Sequence, residues 1–172
     1  MHARRVLVLA CAVAALAAPA ARAAPAARAA DSPSAGLATP AEQRWLLAAE
    51  QILINVATAG RSSSVTGGSV ERARALLANP QNLFGSAMVY AVFSSCSQSL
   101  KNAGRPTSRL GAIRESIDAA CRPLGRASDL FLRAVHRKQP AALIAAEAQA
   151  AAGAKQMTIA AVRLTAFRKT HK

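Results

Sequence analysis

The chain has 172 residues, a formal net charge of +14, 52% hydrophobic but only 3% aromatic residues, and three cysteines. That length allows one domain of ordinary size and excludes a large multidomain enzyme, and the apolar fraction excludes a disordered chain. Four Phe, one Tyr and one Trp are too few for a base-stacking nucleic-acid platform or a ring-lined sugar cleft. Alanine, present 45 times, supplies much of the apolar content, so the expected core is thin, helical and closely packed.

Residues 1–23 read as a secretory signal peptide. Arg4 and Arg5 give a positive start, Val6 to Ala18 an apolar run, and Ala21-Arg22-Ala23 a small-x-small cleavage site, so the mature chain starts near Ala24. Val8-Leu9-Ala10-Cys11 has some lipobox character, but the apolar run before Cys11 is short and continues past it. Val6 to Ala18 also falls short of the roughly 20 apolar residues that span a bilayer, and no later segment qualifies. Cleavage removes Arg4, Arg5 and Arg22 and lowers the formal charge from +14 to +11. A basic exported chain points to a periplasmic or secreted protein that meets anionic envelope surfaces or an acidic partner, not nucleic acid. Arg163, Arg168, Lys169 and Lys172 form the one local basic cluster, although cations in a last helical turn also suit the helix dipole.

Residues 24–38 mix Ala, Pro, Ser and Gly without a helical stripe and are expected to be a disordered leader before a helical domain at 39–172. Thr39-Pro40-Ala41-Glu42 is a capping box that starts a helix over 40–59, with Trp45, Ala49, Ile52 and Val56 inward, Leu46 and Leu53 widening the stripe, and Gly60 closing it. After a Ser/Gly connection, Ser69 caps a short helix at 70–78 with Val70, Ala73 and Leu77 on one side. Asn79-Pro80 then restarts a helix over 80–100, whose expected buried face is Leu83, Phe84, Ala87, Met88, Ala91 and Val92. Gly104-Arg105-Pro106 ends that segment. Leu110, Ile113, Ile117, Ala120, Leu124, Ala127, Phe131 and Ala134 make a heptad seam that runs through Pro123, which predicts one kinked helix over 108–138. Gln139-Pro140 opens the last helix, with Leu143, Ala150, Ala154, Met157, Ala161 and Leu164 on one face. The expectation is an all-α four-helix up-down bundle with a short extra helix before helix 2 and a Pro-kinked helix 3.

Signal removal leaves Cys96 and Cys121, an even number in an oxidising compartment, so a disulfide is expected over two buried or free thiols. Their distances from the intervening connection differ by nine residues, or about 13 Å of helix. They meet only if the connection runs outward in an extended path at about 3.3 Å per residue before turning back.

Catalytic patterns are sparse. Neither mature cysteine belongs to Cys-x-x-Cys-His, which excludes covalent c-type haem, and Met88 or Met157 with His136 is better explained by core packing and a wet helix end. His171 lies in the tail, and too few donors remain for a zinc or di-iron site. Glu115 and Asp118 share a helix face, but Arg114 and Arg122 stand near enough to pair with them. The serines at 62–64 and Ser94, Ser95, Ser97 and Ser99 lack a nucleophile elbow, and Gly67-Gly68 is no phosphate fingerprint. Glu147, in an alanine-rich helix, is expected at the seam boundary with an arginine.

With no catalytic residues, metal site or cofactor expected, the leading reading is a basic, disulfide-stapled envelope protein that acts by binding a protein or an anionic surface without turnover. The alternative is a carrier of a small apolar ligand, held around Met88, Met157, Phe84, Phe131 and Trp45. A chaperone-like cradle, marked by an exposed apolar stripe on the first or last helix, is a variant of the first.

Overall fold

The capping box at Thr39 to Glu42 forms as its sequence dictates. The Glu42 N–H donates to Thr39 Oγ1 at 3.2 Å, and the Thr39 N–H donates back to the Glu42 carboxylate at 2.9 Å. In a computed structural model that describes residues 36–62 and 66–171, it starts α1 (Pro40–Ser62). There follow α2 (Val70–Ala78), α3 (Pro80–Asn102), a 3-10 turn at Ser108–Leu110, α4 (Gly111–Arg137) and α5 (Pro140–Thr170). The described residues are all-helical, with five α-helices and no strand. The signal peptide, Cys11, Lys172 and most of the leader lie outside the described residues. The leader's last three positions are described, and Gly36 and Ala38 accept hydrogen bonds through their carbonyls from Arg109 and Gln43.

α4 is the spine. Every position of the heptad seam from Leu110 to Ala134 is buried, and Leu110, Ile117 and Leu124 have no exposed area, each worth about 1.5–3 kcal/mol relative to exposure. α4 packs most extensively on α5 and then on α3. α1 rests on α3 and more lightly on α5, while α2 bridges α5 and α3. Pro123 removes one helical hydrogen bond, a loss of about 3 kcal/mol in an isolated helix, yet α4 runs through it unbroken. The buried neighbours Ala120, Cys121 and Leu124 hold the turn on either side. Its first turn, at Ser108–Leu110, is 3-10 and not α-helical as expected, and Lys138 closes the helix in the left-handed region at φ 52°.

Four further expectations need correction. Gly60 does not end α1, which continues to Ser62, because Gly60 keeps a negative φ and so does not form a left-handed terminator. Gly104, at φ +80°, performs that role after α3. The buried face of α3 is Ser86, Val89, Tyr90, Phe93, Cys96 and Leu100, leaving Phe84 72% and Met88 60% exposed. Both faces of α3 carry apolar side chains, and its partners choose between them. Tyr90 stacks on Phe131 with ring centroids 4.3 Å apart and meets Phe93 edge-on, while Cys96 must reach α4. On α5, Gly153, Ala146 and Ala160 are buried where Ala154 was expected, because the approach to Leu124 admits no side chain at 153. Likewise Val70 points outward from α2, whereas Ala73 and Leu77 are buried as expected.

Candidate functional site

Cys96 and Cys121 come to disulfide-bonding distance, with Cα atoms 5.4 Å apart across a sequence separation of 25. The register mismatch is absorbed at residues 103–107, which leave the helical path between α3 and the 3-10 turn. That excursion is held by its carbonyl at Gly104, which accepts from Trp45 Nε1 at 3.3 Å and from Arg114 at 2.7 Å. Arg114 turns to the connection and forms no ion pair with Glu115 among the described residues, while Asp118 pairs with Arg122 on the surface as expected.

Glu42 does more than cap α1. Its side chain is 1% exposed, accepts from the Thr107 hydroxyl at 2.7 Å and lies 3.6 Å from Arg109. The Thr107 hydroxyl first, then the Thr39 N–H, hold its carboxyl below the usual 4.5 against the opposing effect of burial. Arg109 also donates to the Gly36 carbonyl at 3.1 Å and lies 5.7 Å from the Phe167 ring centroid, and Phe167 stacks on His171. This node ties the start of α1, the turn before α4 and the end of α5 together. Its architectural use accounts for the one buried carboxylate in the described chain.

Glu147 meets no arginine among the described residues. Its carboxylate instead accepts the N–H and the hydroxyl of Thr66, both at 2.6 Å, and Thr66 is fully buried in the connection before α2. Both carboxylate oxygens are thereby used in holding a loop. Burial first, and Glu147 second, push the neighbouring Tyr90 hydroxyl up to about 12, so it stays protonated at neutral pH.

The terminal basic cluster is largely drawn into helix contacts. Arg168 grips Glu50 of α1 through two hydrogen bonds of 2.9 and 2.8 Å, and Arg163 donates to Ser116 and to the Ala112 carbonyl of α4. Lys169 remains exposed, and Lys172 lies outside the described residues. A longer run of cations lies on α4, where Arg122, Arg126, Arg133 and Arg137 are exposed at steps of four, seven and four, on one side of the helix with Asp129 among them. The hydrophobic run of the seam on the other face masked this ridge in the sequence, although its spacing is helical.

The residues expected to surround an apolar ligand are divided: Trp45, Phe131 and Met157 are buried in the core, whereas Phe84 and Met88 are exposed. A different concavity, of about 580 Å³, runs between α1 and α5 and is lined by Leu53, Val56, Met157, Ala161 and Leu164 among others. Ser94 and Ser95 donate to carbonyls of their own helix, and no group of three His, Cys, Asp or Glu among the described residues is placed to hold a metal. No described helix is long and apolar enough to cross a membrane. Comparison with known proteins finds no matching family model, no similar curated protein and no similar solved structure.

Proposed function

We propose that this is an exported, basic protein of the bacterial envelope, periplasmic or secreted, whose four long helices form an up-down bundle and which acts by binding without catalysis. The observation that carries the reading is the exposed ridge of Arg122, Arg126, Arg133 and Arg137, about 22 Å long on the central helix α4. Anionic lipid headgroups or an acidic protein surface complement it. The tripartite start of the sequence and a cysteine pair at bonding distance support an oxidising, extracytoplasmic setting. The carboxylates Glu42 and Glu147 are committed to structural hydrogen bonds, which supports a role without turnover.

The test is co-sedimentation of the mature protein with vesicles containing phosphatidylglycerol, compared with neutral vesicles across a salt series. Binding should require the anionic lipid and weaken with salt. Reversing Arg126, Arg133 and Arg137 to Glu should weaken it about a hundredfold or more, at about 1 kcal/mol per basic residue. Equal binding to neutral vesicles, or no effect of the triple reversal, removes this reading. A second reading, carriage of a small apolar ligand, has the α1–α5 groove in its favour.

A further inference from the structure

The groove between α1 and α5 is chemically asymmetric. Leu53, Val56, Met157 and Leu164 give it an apolar floor, and Ile54 stands 51% exposed in its wall, an arrangement that water alone does not favour. One end is closed by the Glu50–Arg168 pair, whose charges cancel. The other end carries Arg61, with Lys155 exposed one residue beyond Ala154, and neither cation has an acid partner among the described residues. An apolar trough with net positive charge at a single end matches a molecule with a long apolar tail and one anionic head.

We propose that this groove binds a single-chain anionic amphiphile, with the tail along α1 and α5 and a carboxylate or phosphate head at Arg61. The proposal rests on the carrier reading and gives it a ligand class. From Glu50 to Arg61 the helix rises about 16 Å, room for an extended tail of roughly a dozen carbons. The volume of about 580 Å³ lies within the ordinary range for small-ligand sites. Each methylene taken from water contributes about a fourfold gain in affinity, so the tail supplies most of the binding and Arg61 sets the orientation.

The test titrates the mature, oxidised protein by calorimetry with tetradecanoate, lysophosphatidylglycerol and tetradecanol, each below its aggregation threshold. Saturable one-to-one binding is expected, with the anionic probes at least fivefold tighter than the alcohol, and the tighter of the two anions identifies the head. Arg61→Glu should abolish that preference while leaving tetradecanol unchanged. Ala161→Phe, which fills the trough, should weaken all three about fifteenfold, the equivalent of two lost methylenes. Ala154→Phe makes the same obstruction nearer Arg61 and replaces it if circular dichroism shows Ala161→Phe unfolded. Equal affinity for the alcohol and the anions overturns the proposal and leaves carriage of a neutral ligand. No saturable binding of any probe overturns both. A wild-type dimer that Ala161→Phe converts to monomer without any probe also overturns it, and gives the groove to a second copy of the chain.

Discussion

Replacing Gly153 by alanine tests the closest helix contact in the protein. A Cβ there would lie 2.5 Å from Leu124 Cγ, 2.6 Å from its Cδ2 and 3.2 Å from the Ala120 carbonyl oxygen. Carbon atoms pack best at about 3.5–4.0 Å, so the overlap is about 1 Å, and it involves the branch point of a fully buried leucine and not a mobile tip. Alanine contributes about 1 kcal/mol of helix propensity, whereas forcing a methyl into a packed core costs about 1–3 kcal/mol. The balance is a net loss of about 0–2 kcal/mol. Gly85→Ala and Gly125→Ala supply the propensity term alone, since an added Cβ at either meets no atom within 4 Å. Both should stabilise by up to about 1 kcal/mol, placing Gly153→Ala about 1–3 kcal/mol below them in urea denaturation at unchanged m. Leu124→Ala alone should cost about 2–5 kcal/mol, and combined with Gly153→Ala less than the sum, because the alanine methyl then enters vacated space. A Gly153→Ala variant as stable as the two controls, or strict additivity with Leu124→Ala, refutes the close approach.

Replacing Cys96 and Cys121 together by alanine should lower stability by about 3–4 kcal/mol, the chain-entropy value for their separation of 25, and reduction of the wild type should reproduce the loss. A melting curve indifferent to reductant would show that the pair is not bonded. Because the folded pKa of Glu42 is depressed, its contribution is present above the ordinary 4.5 and vanishes as pH falls through the lower folded value. Glu42→Gln should therefore be less stable than wild type at neutral pH but lose less on acidification below pH 4.5, and parallel pH profiles would contradict the assignment. Glu147→Ala strands the buried Thr66 N–H and hydroxyl and should cost about 1–3 kcal/mol, with Glu147→Gln losing less since one acceptor oxygen remains. Equal losses in the two variants would mean that the hydrogen bonds to Thr66 are unimportant.

Local signals were legible wherever a residue acts on its own backbone. Thr39 with Glu42, Ser69 and Asn79 start helices through short-range hydrogen bonds, and all three form as written in the sequence. The α4 seam was legible for a different reason: one face of that helix is apolar and the other charged, so a single orientation buries it well. The cysteine pairing followed from parity and an expected oxidising compartment, while the residues that let it close, the excursion at 103–107 pinned through Gly104, did not. Candidate binding features were the least visible. The α4 arginines lie interleaved with the apolar seam, and the α1–α5 groove belongs to two helices with three others between them in the chain.

The sequence alone therefore determined the helical class, the helix starts and the central seam, because each depends on spacing within one segment. The tertiary structure decided which faces of α3 and α5 turn inward, since both helices are apolar on more than one side and only stacking on Phe131, reach to Cys121 and clearance at Leu124 distinguish the choices. It also decided the partners of Glu42, Glu147, Arg163 and Arg168. A charged side chain takes the acceptor or donor that folding brings within reach, and those lie 47 to 118 residues away along the chain.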